Sequence, residues 1–82
     1  MLTVDFTPVT AVIENLTAQV DGVRVNFTTS YSFEEVLRVL RNGQRLTDGV
    51  DYSWTAPDTV TFTNPPKIHP IDGKDVIIVE LL

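Results

Sequence analysis

The chain is written largely in period two. Val23-Arg24-Val25-Asn26-Phe27-Thr28 alternates apolar and polar positions, and Thr59-Val60-Thr61-Phe62-Thr63 repeats the pattern with Val60 and Phe62 as the inward pair. Alternation at this period sends one set of side chains to each face of a β-strand, and Val, Thr and Phe are residues that fit a pleated, half-buried surface. Turn dipeptides separate the runs. Asp21-Gly22 divides Thr17–Val20 from Val23–Thr29, Asn42-Gly43 divides Leu37–Arg41 from Gln44–Leu46, and Asp48-Gly49 precedes the aromatic run Asp51–Trp54. Each dipeptide supplies residues that tolerate φ > 0 where a tight reversal needs it. Leu37–Pro66 therefore reads as one hairpin folded against another, and Thr17–Thr29 as a further hairpin with Val23, Val25 and Phe27 on one face. The five prolines fall at element edges or in loops, where a missing N–H costs least.

Two segments need separate treatment. Ser32-Phe33-Glu34-Glu35 has capping-box form, and Phe33, Val36, Leu37 and Leu40 follow helical spacing up to Gly43. Such a helix would have only about nine residues, marginal without packing, so the favoured reading is a short turn at Phe33–Glu35 followed by a strand. With Leu37 and Val39 inward on that strand, Arg38 and Leu40 point out together. The last run, Val76–Leu82, is apolar on both faces: Val76 and Ile78 alternate with Ile77, Val79 and Leu81. One set needs a cover, either the N-terminal segment Leu2–Ile13 or a partner, because a bare apolar patch usually marks a contact.

Composition narrows the options. With 82 residues, one domain spanning 1–82 is expected. A chain this short buries roughly 60–65% of its unfolded surface. No cysteine staples it and the single histidine rules out a Cys/His zinc cluster, so the core carries the stability or a partner assists it. A net charge of −5 and a pI near 4.5 argue against phosphate-driven nucleic-acid binding and against docking on an anionic membrane. Met1–Thr10 has no basic leader region, and the longest apolar run, Val76–Val79, is too short to span a bilayer. A soluble protein made in the cytoplasm without a cleaved leader is expected.

Catalytic chemistry finds little support. His69, the one side chain whose ordinary pKa lies near neutrality, sits in Lys67-Ile68-His69-Pro70 with no nucleophile beside it, and Ser30, Ser32 and Ser53 lie in no nucleophile elbow. The acidic pairs Glu34/Glu35, Asp48/Asp51 and Asp72/Asp75 form no calcium-loop series. Asp48 and Asp72 read as turn residues before glycine, and Asp51 as a brace beside Tyr52. No enzyme activity, metal or cofactor is expected. The sequons Asn15-Leu16-Thr17 and Asn26-Phe27-Thr28 read as chance matches in Thr-rich strands. Tyr52 and Trp54 share a strand face, either closing the core or stacking on a sugar ring. Arg38, Arg41 and Arg45, half of the positive charges, cluster around Asn42-Gly43; with Leu40 they form either a solvated hairpin or a basic, apolar tip for an acidic protein surface.

Val39, Asn42-Gly43, Leu46, Gly49, Asp51-Tyr52, Thr59–Thr63, Pro65-Pro66, Gly73, Val76, Ile77 and Val79 form a pattern that resembles a small immunoglobulin-like β-sandwich module of tailed-bacteriophage virion proteins. The likeness covers roughly residues 36–80. It departs from the module in a longer Lys67–Asp72 loop and in Phe33–Glu35, which looks inserted. The expected fold is all-β, a small antiparallel immunoglobulin-like β-sandwich of about six or seven strands. The resemblance implies a virion location and structural work: a capsid decoration or head- or tail-associated component that adheres, in many copies, to capsid or tail proteins or to sister copies. Arg38, Leu40, Arg41, Arg45, Ile77, Val79 and Leu81 are the expected partner-binding residues. A carbohydrate-binding module for host attachment, using Tyr52 and Trp54, is the alternative. A tail or neck adaptor or assembly factor is a third.

Overall fold

In the computed structural model, which describes residues 11–71 and 73–82, the alternating runs become antiparallel strands. These are β1 (Val12–Asn15), β2 (Asn26–Thr28), β3 (Val36–Arg41), β4 (Gln44–Arg45), β5 (Tyr52–Thr55), β6 (Thr59–Phe62), β7 (Ile68–His69), β8 (Gly73–Lys74) and β9 (Ile77–Leu81). One sheet has the order β1-β9-β3-β4, a second β2-β6-β5, and β7 pairs with β8 as a separate two-stranded arm. Among the described residues the one helical element is a 3₁₀ turn at Thr17–Gln19, and no helix is long and apolar enough to cross a membrane. The expected cover by Leu2–Ile13 falls mostly outside the described residues, as does the turn role of Asp72.

Both hairpins of Leu37–Pro66 are present, one in each sheet. Asn42 and Gly43 sit at φ 53° and 82°, a two-residue reversal in which both positions are left-handed, and Arg41 pairs with Gln44 across it. β5 and β6 pair from Tyr52↔Phe62 to Thr55↔Thr59. The chain crosses between the sheets through a turn closed by Asp51, whose N–H donates to the Thr47 carbonyl (2.8 Å) and whose Oδ2 accepts the Thr47 N–H (2.8 Å). Asp51 is therefore the brace expected from its place beside Tyr52.

Inward residues of both sheets meet in one core. Val36, Val39, Ile77, Val79 and Leu81 come from the first sheet and Phe27, Tyr52, Val60 and Phe62 from the second, with Leu16, Val20 and Phe33 packed in from the connections. Phe27 and Phe62 make an edge-to-face pair with centroids 5.0 Å apart, the arrangement the ring quadrupole favours.

Three expectations are revised. The segment with helical spacing is strand, but Leu37 is an extra residue in it: Val36 pairs with Leu81 and Arg38 with Glu80, so the register shifts between them. This bulge puts Val36 and Val39 both inside, three apart, which is why the sequence mimics a helix. Thr17–Thr29 is not a hairpin. Asp21 Oδ1 accepts the N–H groups of Val23 (2.9 Å) and Arg24 (2.6 Å), an Asx turn that replaces strand pairing and leaves Val23 78% exposed. Those two backbone bonds hold the Asp21 carboxyl below its usual range. Finally, Ile77, Val79 and Leu81 lie in the core, so the expectation that they form a partner surface is overturned; Ile78 and Glu80 occupy the other face of β9.

The Asn42-Gly43 reversal makes a specific demand. A Cβ on Gly43 would meet nothing within 4 Å, so Gly43→Ala introduces backbone strain without a clash. It is expected to cost about 1 kcal/mol in denaturant unfolding, and Gly43→Asn, which tolerates the left-handed region better, a smaller amount.

Candidate contact surface

The register of the first sheet dictates what its outer face displays. Ile13 pairs with Glu80 and Glu80 with Arg38; Asn15 pairs with Ile78 and Ile78 with Leu40. These two rows put Ile13, Leu40 and Ile78 on the side away from the core, around an Arg38–Glu80 ion pair. Together Ile13, Arg38, Leu40, Ile78 and Glu80 line a shallow depression of about 130 Å³. Ile13 is 68% exposed. The second sheet is different. Its outer rows are Asn26, Thr61 and Ser53, then Thr28, Thr59 and Thr55, polar throughout, with Thr61 Oγ1 donating to Asn26 Oδ1 at 2.9 Å. The two sheets share a core yet differ outside.

Beside this face lies a buried polar hub. Asp75 is 1% exposed, and its carboxylate takes bonds from four directions. Arg41 donates to Oδ2 through Nε (2.8 Å) and its guanidinium NH2 approaches the same atom at 2.7 Å. The Lys67 N–H donates to Oδ2 (2.8 Å), Asn42 Nδ2 to Oδ1 (2.9 Å) and His69 Nε2 to Oδ1 (2.5 Å). The Asp75 N–H returns a bond to the Lys67 carbonyl (2.8 Å), and Asn42 exchanges backbone and side-chain bonds with Val76. Burial alone pushes the Asp75 carboxyl up. The bonds from Lys67, Asn42, His69 and Arg41 outweigh it and hold the carboxyl far below the usual range.

The hub settles where the expected site residues stand. Arg41 is committed to Asp75 and Arg38 to Glu80, while Arg45, opposite Leu40 on the edge strand β4, is exposed and pairs with no acid among the described residues. The arginine cluster is thus mostly internal wiring. Arg38 and Leu40 do share the outer face. His69 is a structural donor to Asp75, a role its sequence neighbours did not reveal, because the partner lies six residues on across the arm. Tyr52 is buried, and Trp54 packs edge-on against Phe33 with centroids 5.8 Å apart, so both rings serve the core. Burial, then the nearby Asp48, pushes the Tyr52 phenol up, with Arg45 opposing. Tyr52 also lines a cleft of about 420 Å³, together with Glu35, Leu37, Arg45 and Asp48. Among the described residues no three His, Asp or Glu side chains come together as a metal site.

Asp75→Asn keeps the shape but removes the charge and half of the acceptor capacity, leaving Arg41 and the Lys67 N–H short of partners. It is expected to cost about 3 kcal/mol near neutral pH. A carboxyl depressed in the fold stabilises fully above its unfolded pKa of about 3.9 and loses that contribution as pH falls below it. The gap between wild type and Asp75→Asn, followed by denaturant unfolding, is therefore expected to be widest above about pH 5 and to narrow progressively below about pH 4.

Compared with known proteins, the chain matches no family model, no curated sequence and no solved structure.

Proposed function

We propose that this chain is an immunoglobulin-like β-sandwich that works by adhesion, as a bacteriophage virion accessory protein: a capsid decoration or a head- or tail-associated component. The observation that carries the adhesive part is the asymmetry of the two outer faces. A sheet solvated on its outside presents polar residues there, as the β2-β6-β5 sheet does. The β1-β9-β3-β4 sheet presents Ile13, Leu40 and Ile78 around an Arg38–Glu80 pair whose charges offset each other. The virion setting is supported by the run from Val39 to Val79 that resembles the phage module, with the Asn42-Gly43 reversal and the paired hairpins at its centre.

The apolar patch is small. Three aliphatic side chains make a weak contact, well below the area of a typical stable interface. Repetition on a symmetric shell converts such contacts into firm attachment, because each further copy binds at a high effective concentration. A decoration protein acts in this regime.

Cosedimentation with virions of the phage that encodes the chain provides the test. Ile78→Glu, on the outer face, is expected to weaken binding at least tenfold while unfolding at nearly the wild-type denaturant concentration. Ile77→Glu, its core neighbour, is expected to unfold the protein by burying a charge. A folded wild-type chain that binds no such particle overturns the virion reading, and unchanged binding by Ile78→Glu overturns the choice of surface.

A further inference from the structure

The strand register separates the charges along the length of the molecule. β3 runs from Val36 to Arg41 and β9 runs back beside it from Ile77 to Leu81, a span of about 17 Å. At the Arg41 end sit the Asp75 hub and the β7-β8 arm. The arm lies along the Asp21–Arg24 turn: the Ile68 side chain is 3.9 Å from where a Cβ on Gly22 would stand, and Lys74 Nζ reaches the Ala18 carbonyl at 3.5 Å. This end exposes Lys67, Lys74 and Arg24 together with Val23, Ile68 and Ile71, the last 94% exposed. Asp21, exposed and held ionised, keeps its charge beside Arg24 at this end, while Asp75 is enclosed with Arg41. Asp72, outside the described residues, is the one further acid in the segment 67–74.

The Val36 end is opposite in character. Glu34 and Glu35 are exposed, and their N–H groups donate to the Leu82 carbonyl. The Thr29 N–H bonds the Asp58 carbonyl and the Phe33 N–H the Pro57 carbonyl, which brings the β5-β6 turn to the same end. The Glu14 carboxylate, capping the N–H groups of Ser30 and Tyr31, adds another negative charge. Tyr31 is 56% exposed, and Leu82, bonded to the Glu34–Glu35 backbone, is also at the surface. Among the described residues, Lys67, Lys74 and Arg24 outnumber Asp21 at one end, beside aliphatic side chains. At the other, beside Tyr31 and Leu82, Glu34, Glu35, Glu14 and Asp58 outnumber Arg45, which lines a cleft with Glu35.

We infer that these two ends are complementary halves of one contact, and that copies of this chain associate head to tail, the arm of one copy seated on the Glu34–Glu35 end of the next. A contact between different surfaces of identical chains leaves one of each free in every dimer, so it propagates into rings or filaments. Opposite potentials provide orientation and encounter rate, and Ile71, Val23, Tyr31 and Leu82 provide the apolar area. This contact is separate from the outer face of the β1-β9-β3-β4 sheet, and its test needs no virion.

The test is a charge swap followed by sedimentation velocity, with circular dichroism to confirm folding. Wild-type protein is expected to form larger species with rising concentration at about 50 mM salt and to revert to protomers at about 500 mM, where charges are screened beyond roughly 4 Å. Lys67→Glu/Lys74→Glu and Glu34→Lys/Glu35→Lys are each expected to weaken association at least tenfold. The fourfold variant carrying both swaps, and an equimolar mixture of the two double variants, are expected to regain it. Ile78→Glu is expected to leave it unchanged. Protomers alone at about 1 mM wild-type protein and low salt overturn the inference, as does failure of both the fourfold variant and the mixture to recover while folded.

Discussion

The Asp75 carboxylate is the constraint on which the arrangement of this protein depends. It sits where the apolar core ends, between the β3-β4 reversal and the base of the β7-β8 arm. One oxygen takes Arg41 and the Lys67 N–H, and the other takes Asn42 and His69. Two strands of two residues have too few ladder bonds and too little buried surface to hold position alone. The arm is fixed because its first backbone N–H and its histidine are tied to the same carboxylate that receives the sheet's arginine. A buried charge is costly unless it is paired and its remaining lone pairs are filled; here both conditions hold, and no buried side-chain polar atom lacks a partner among the described residues.

That single tie connects the turn, the arm and the end of β9, and so links the two surfaces argued to make contacts. The outer face depends on the register between β3 and β9, which the Asn42–Val76 exchange of bonds pins just before Arg41 meets Ile77. The basic end depends on the arm staying where Asp75 holds it. The opposite edge is controlled by a second carboxylate. Glu14 lies on the inner side of edge strand β1, opposite Val79, and its oxygens occupy the Ser30 and Tyr31 N–H groups. An inward charge on an edge strand opposes pairing with a stray strand.

Much of the fold was legible from residue types with strict local meaning. Asn42-Gly43 could scarcely be anything except a tight reversal, and the Thr-Val-Thr-Phe run needed one buried face. The errors came where one residue disturbs a period. Leu37, bulged out of register, shifted the inward set from Leu37 and Val39 to Val36 and Val39. Asp21 diverted the chain into an Asx turn, so Val23 alternates with a core it never reaches. The site was less legible because its partners are distant in sequence. Arg41 and Asp75 are 34 positions apart, and nothing in Lys67-Ile68-His69-Pro70 announces that His69 faces a buried acid. The double-faced apolar run Val76–Leu82 did signal a surface, but which set lay outside was decided by register, and that placed Ile77, Val79 and Leu81 inside.

The use of arginine and lysine follows the same division. Arg41 approaches the enclosed Asp75 through two nitrogens, and Arg38 meets Glu80 across neighbouring strands; a planar fork loses less freedom than a flexible ammonium in making such bonds. The charges on the arm are lysines, and neither Lys67 nor Lys74 is in an ion pair among the described residues. A hydrated point charge on a flexible stem suits a contact that must form and release, because it acts through its field without demanding one geometry. Acidic overall, the chain commits Arg38 and Arg41 to its own architecture and displays Lys67 and Lys74 at one end. A repulsive background of −5 then opposes indiscriminate clustering, so that copies can approach closely only where the basic end finds an acidic one.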